Sequence, residues 1–264
     1  AAVAGRVFHN DELEALVPAP ASRRLGAVLA ALVRKELIRA DPDRLLLEEE
    51  AYRFRHDLIR DAAYEALPKS ARAELHERLA DRRTAGSRPD EVVGYHLEQA
   101  FRCRRDLTPG TTATDPLAVR AAALLAAAGS RALARLDVGA ARSLLERALA
   151  LCADDDPAVS LRLELAEALF LSGDPGAAAL AAETADRADA AGDRSGRLRA
   201  QLMGARITAL TPSDGTPGED PSGALLELAA AARPEFAASG DDAALTEVWV
   251  ATAWAELIRC RYGE

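Results

Sequence analysis

Two short turns, DVGAA at 137–141 and DPGAA at 174–178, stand 37 residues apart, each between alanine-rich segments with apolar residues at helical spacing. A helix–turn–helix unit repeated at a fixed period can bury its apolar faces only against neighbouring copies, so this spacing predicts stacked helical hairpins. Small residues recur at the same offset, Gly129, Ala141 and Ala148 with Ala166, Ala178 and Ala185, where closely crossing helices leave little room. The expected pairs are 117–136 with 140–152, 160–171 with 177–191, and 197–210 with 223–238; residues 243–261 open a fourth. Between the members of the third pair, TPSDGTPGEDP at 211–221 reads as an exposed loop. The last helix carries Val248, Trp249, Val250, Trp254, Leu257 and Ile258 with no partner after it, and no methionine precedes Ala1. The chain therefore reads as a piece excised from a longer protein, cut within the repeats at its C-terminal end.

Composition agrees with helices. Hydrophobic residues make up 49% of the chain and aromatics only 4%, which favours helix packing over sheets. A formal net charge of −9 argues against a general affinity for nucleic acid or anionic lipid, both of which reward a basic surface. No apolar run approaches the roughly 18 residues of a membrane span and no signal-peptide layout is visible, so a cytoplasmic location without membrane contact is expected. Cys103, Cys152 and Cys260 are far apart and lack CxxC pairing, which fits three reduced and mostly buried thiols.

The first 114 residues have a different character. A helix over 11–17, capped by Asn10 or Asp11, and one over 22–36, with Leu25, Val28, Leu29, Leu32 and Val33 inward, precede strands at 37–40 and 52–55. Residues 45–47 are a further strand candidate in this wing. His56 and Asp57 open a helix with Leu58, Ile59, Ala62, Ala63 and Leu67 at helical spacing. Helices follow over 69–83 and 91–106, and LTPGTTATDP at 107–116 is a linker. Helices followed by a two-stranded wing read as a winged-helix variant of helix-turn-helix. A DNA-reading wing should be basic, whereas this one carries Asp41, Asp43 and Glu48, Glu49 and Glu50, which would repel phosphate.

No GxxxxGK[ST], GxGxxG, HExxH, GxSxG or metal-spaced cluster is present, so no catalytic role is expected of these residues. His76 and His96 read as packing positions, with Tyr95, His96 and Gln99 fixing helix against helix. On the concave face of the repeats, Arg131, Arg135, Arg162 and Glu167 are the candidate partner-binding side chains. From the residues alone, His56 caps its helix or fills a gap.

The segment FRHDLIRD at 54–61 resembles the winged-helix junction of STAND-type signalling ATPases, where Met-His-Asp-Leu or Phe-Arg-His-x-Leu-Ile-Arg-Asp stands at this point. AAVAGRVF at 1–8, LVRKELI at 32–38, LHERLA at 75–80 and VGYHLEQAF at 93–101 are similar to the bacterial branch, and the helices after Pro116 resemble tetratricopeptide repeats. The resemblance implies a mainly α chain: a winged helix with a two-stranded wing over 1–68, connecting helices and linker over 69–114, and a right-handed α-solenoid of tetratricopeptide-like hairpins over 115–264. It implies a parent protein that binds ATP and ADP in an upstream domain, sometimes behind a class III nucleotide cyclase. In it His56, with Arg55 and Asp57, would sense the nucleotide through the ADP β-phosphate, a role that suits an imidazole N–H at a helix start because it can add a hydrogen bond to a diphosphate. The repeats would hold a protein or peptide ligand. A DNA-binding regulator with a repeat sensor, and a passive interaction scaffold, are the other readings.

Overall fold

The computed structural model describes residues 1–17, 22–41, 51–81, 89–108, 110, 114–153, 156, 158–211 and 220–261. Among them the chain is mainly helical, with twelve helices and one small three-stranded sheet. Contacts divide it into two units, Ala1–Leu125 and Ala126–Glu264.

In the first unit, β1 (Val7–His9) leads into α1 (Asn10–Leu16), and α2 (Leu25–Arg34) leads into β2 (Ile38–Ala40) and β3 (Ala51–Phe54). The sheet is antiparallel in the order β1-β3-β2, with Phe8 opposite Tyr52 and Arg39 opposite Arg53. The sequence reading gave this sheet two strands. Three residues are too few for alternation to register, and β1 exists because β3 has a second edge to satisfy. Phe8 is fully buried, its ring 5.3 Å from that of Phe54, and Leu13, Leu29 and Ile38 close the core around them. The inward face of α2 is narrower than expected: Leu29 is buried with Leu25 and Leu32 beside it, while Val28 and Val33 are exposed. His9, rather than Asn10 or Asp11, takes the N-cap position of α1, and its N–H donates to the Glu12 carboxylate at 3.0 Å. Asp41 is buried against the Arg53 guanidinium at 3.1 Å, so it adds no net charge to a wing surface. Asp43, residues 45–47 and Glu48, Glu49 and Glu50 lie outside the described residues.

Next come α3 (Asp57–Glu65), α4 (Lys69–Asp81), α5 (Asp90–Leu107) and α6 (Pro116–Ala134). Helices α4 and α5 pack along one another and α1 packs on α4, with Val3, Leu16 and Leu79 buried together. Helix α3 buries no residue fully, and Leu58 is 80% exposed, against the expectation that it faces inward. Only Ile59, Tyr64 and Leu67 reach the core. Gly94 on α5 sits under Leu125 of α6, where a Cβ would lie 3.0 Å from the leucine side chain.

In the second unit the end of α6 is followed by α7 (Val138–Leu149), α8 (Val159–Leu171), α9 (Gly176–Ala190), α10 (Arg194–Leu210), α11 (Pro221–Ser239) and α12 (Asp242–Arg261). Each packs on the next from α7 onward, and α8 also meets α10 as α10 meets α12. Gly129 repeats the Gly94 arrangement one helix later, a Cβ there lying 2.8 Å from Leu145. Ala141, Leu145 and Ala148 are buried on α7, and Ala177, Ala181, Thr184, Ala185 and Ala188 on α9, so Ala185 is buried 37 residues after Ala148 as expected while the face begins at an offset of 36. Ala178, expected at the close crossing, is half-buried, with Ala177 in its place.

By length and composition α6 could cross a membrane, a result the sequence reading did not anticipate because alanine adds modestly at every position. Its Ala118, Ala121, Leu125, Ala128 and Ala132 are buried in protein, and Arg120 pairs with Asp81 at 3.1 Å. On α12, Val248 is buried, while Trp249, Val250, Trp254 and Leu257 remain exposed.

Candidate functional site

The first helix of each hairpin lines one groove in the second unit. Its walls are Leu133 on α6 and Leu136 just after it, Leu163 and Leu171 on α8, Leu202 and Met203 on α10, and Val250 on α12; its volume is about 510 Å³. This lies within the ~300–1,000 Å³ of small-ligand pockets. A mostly apolar wall with a few convergent charges is the usual make-up of such a site, and the charges here are specific.

Arg199 on α10 donates to both oxygens of Glu247 on α12, from Nε to Oε2 at 3.0 Å and from Nη2 to Oε1 at 2.6 Å, and reaches the Ser160 hydroxyl at 3.4 Å. Its pKa is raised further above the usual guanidinium value, chiefly by that hydrogen bonding to Glu247. Arg206 on α10 donates to Glu167 on α8 and contacts Met203 Sδ. The Arg199 fork and the single Arg206–Glu167 bond tie α8, α10 and α12 together and set both positive charges of the groove against carboxylates, with Arg206 Nε buried and without a hydrogen-bond partner. Glu164 is different. It accepts from the Ser130 hydroxyl of α6, and the structure gives it no cationic partner among the described residues. The groove therefore holds one carboxylate more than its arginines neutralise, half-buried among leucines.

Leu136 forms part of the rim and is 73% exposed. It ends α6 in the left-handed region, with φ 60°. The equivalent position 37 residues later is Gly173, with φ 73°, and Gly192 and Gly240 do the same after α9 and α11. A leucine there costs about 1–2 kcal/mol of backbone energy. Replacing it with glycine returns flexibility to the unfolded chain, which takes back about 0.4–1 kcal/mol. Leu136→Gly is thus expected to raise the stability of the second unit by up to about 1 kcal/mol in urea titration.

Of the four residues expected on the concave face, Glu167 lines the groove. Arg131 and Arg135 are exposed elsewhere on α6 and its end, and Arg162 is 9% exposed and paired with Glu183 of α9 at 3.3 Å. Successive residues turn about 100° around a helix, so placing Arg131 rather than Ser130 on the inner face misses by one position. Ser130, Glu164, Arg199, Arg206 and Glu247 were absent from the sequence reading. Their signal lay in complementary charges on alternate helices: Glu164 and Glu167 against Arg199 and Arg206.

At the other end of the chain, Arg55, His56, Asp57 and Leu58 form an exposed corner between β3 and α3. His56 occupies the N-cap position in an extended conformation, φ −139° and ψ 145°, but its side chain makes no capping hydrogen bond. Asp57 is the first helical residue rather than the cap, and pairs with Arg6 at 3.1 Å across solvent; Arg55 stands 4.0 Å from Glu36. Among these three, only the imidazole has no polar role in the local fold.

A third polar cluster is buried in the first unit. His76 and His96, both buried, meet through their Nδ1 atoms at 2.9 Å, and His76 Nε2 lies 3.0 Å from the Tyr64 hydroxyl. The Arg72 guanidinium lies over the Tyr64 ring at 5.0 Å. In each of the two His76 contacts one partner donates and the other accepts, as the imidazole tautomers set. Desolvation, reinforced by His96, pushes the His76 pKa down to about 3. Both imidazoles are thus part of the packing between α4 and α5. Cys103 is buried and free, and the thiol of half-buried Cys152 is pushed up, chiefly by burial. The described residues contain no group of three or more potential metal ligands.

Neither protein-family models, curated proteins nor solved structures offer a match to this chain.

Proposed function

We propose that this chain is the regulatory part of a STAND-type signalling ATPase, a winged helix joined to a right-handed solenoid of tetratricopeptide-like repeats, with no catalytic chemistry of its own. In this reading an upstream nucleotide-binding domain of the parent protein holds ATP or ADP. The corner at Arg55, His56 and Asp57 reports which nucleotide is present, and a protein or peptide ligand on the repeats biases the equilibrium. By linkage, a ligand that favours the open form weakens ADP binding by the same factor.

The observation that carries the reading is the corner itself. Four consecutive side chains are exposed; Asp57 and Arg55 meet Arg6 and Glu36 across solvent, while an 80% exposed leucine and an imidazole without a capping bond are left unused by the fold around them. Such a surface suits contact with another domain better than it suits water. The element order supports it as well: a strand, two helices and two strands forming a sheet in the order β1-β3-β2 is the arrangement of a winged helix. The alternation of groove-lining with outer helices in the second unit suits stacked hairpins.

The test is His56→Ala in the full-length protein. Removing one hydrogen bond to a charged phosphate costs about 1.5–3 kcal/mol, so ADP is expected to dissociate about ten-fold faster or more, with higher basal activity. Unchanged ADP retention would remove the latch role.

A further inference from the structure

We infer that the groove of the second unit takes an extended peptide in which a lysine or arginine side chain, flanked by aliphatic residues, places its cation on Glu164. This rests on the reading of the helical array as a ligand-binding element and gives that ligand a chemistry.

Three observations converge on it. The groove's two guanidinium groups are already engaged, Arg199 by both oxygens of Glu247 and Arg206 through Nη2 by one oxygen of Glu167, and the Arg206 Nε that bonds to nothing is buried, so an anion would have to displace a carboxylate that joins two helices. Glu164 holds only a neutral hydroxyl, from Ser130, and sits half-buried, where a cation is attracted more strongly than in open water. Charge complementarity therefore selects a positive ligand. Leu133, Leu163 and Leu202 stand around it on three successive inner helices, which suits an elongated ligand with apolar groups on both sides of its charge better than a bare cation.

The third observation is Leu136. The chain uses glycine at the same turn position one repeat later, with the same sign of φ, yet keeps here a leucine that is strained and 73% exposed. Neither backbone conformation nor burial explains the choice. A ligand lying over the rim does, because it would cover that side chain.

The test uses the whole 264-residue chain and three fluorescein-labelled peptides, Leu-Leu-Xaa-Leu-Leu with blocked ends, where Xaa is arginine, norleucine or glutamate, read by fluorescence anisotropy. The arginine peptide is expected to bind about ten-fold more tightly than the norleucine peptide, with the glutamate peptide weakest. Glu164→Gln should bring arginine and norleucine to within about two-fold of one another. Leu136→Gly should weaken all three alike while raising the melting temperature, which separates lost contact from lost folding. The inference is overturned if the glutamate peptide binds as well as the arginine peptide, if Glu164→Gln leaves the ratio unchanged, or if none binds at millimolar concentration. Butylguanidinium competing as effectively as the arginine peptide would also overturn it, assigning the groove to a small cation. None of these results bears on ADP retention at His56, so the two readings fail separately.

Discussion

Acidification from pH 6.5 to about pH 4 is expected to cost the Ala1–Leu125 unit about 3 kcal/mol of stability through one side chain, His76. Buried between α4 and α5 and beside His96, this imidazole has its pKa lowered from 6.5 to about 3. The unfolded chain therefore takes up the proton first as the pH falls. The stabilisation is complete above pH 6.5 and drains at up to about 1.4 kcal/mol per pH unit until the folded state can protonate as well. Carboxylates begin to titrate in the lower part of this range, so the cleanest interval is pH 6.5 to about 5, where they stay ionised. Hydrogen exchange of the α4 and α5 amides reads this unit directly. A His76→Gln variant should be less stable at neutral pH, since it disturbs the Tyr64–His76–His96 chain, but flatter across the interval. A variant that keeps the full slope would assign the titration elsewhere.

The second large effect belongs to the other unit. Phe236 is fully buried on α11 among Leu225, Ala232, Ala244 and Val248. Five of the nine other buried residues of this core are alanines, and alanine side chains cannot rotate to fill a void. Phe236→Ala should therefore fall near the upper part of the ~3–5 kcal/mol range for such truncations. That is a large share of the stability of a domain this size. Both tryptophans, Trp249 and Trp254, lie on α12 beside this core, so their fluorescence in urea reports the loss; a change below about 1 kcal/mol would mean the site had collapsed.

The helices of this chain were legible because period and punctuation agreed. Asp137 and Asp174, the prolines near 107–116 and the alternation of apolar residues marked nearly every element from α4 onward. What stayed hidden depended on partners distant in sequence. Strand β1 has three residues and no alternation worth reading; it is a strand because β3 lies beside it. Leu58 fits the helical period of α3 and is nevertheless exposed, because periodicity marks a possible face and not whether anything covers it. The groove was half legible. That the inner helices would form it followed from the repeat, but choosing Ser130 over Arg131, or seeing that Arg199 and Arg206 would be consumed by Glu247 and Glu167, needs a rotation known to within one residue.

The second unit's packing, in which the main contacts of α7 to α12 among the described residues are with helices one or two places away, bears on how it comes apart. Its buried residues form separate clusters, one around α11 and α12 and another around α7 to α9, with α10 contributing to both. Opening at the α12 end can therefore leave the α7–α9 cluster intact. Amide exchange should form a gradient rather than a single plateau, fastest in α12 and slowest in α8, and a chemical denaturant should peel helices away from one side before the remainder lets go.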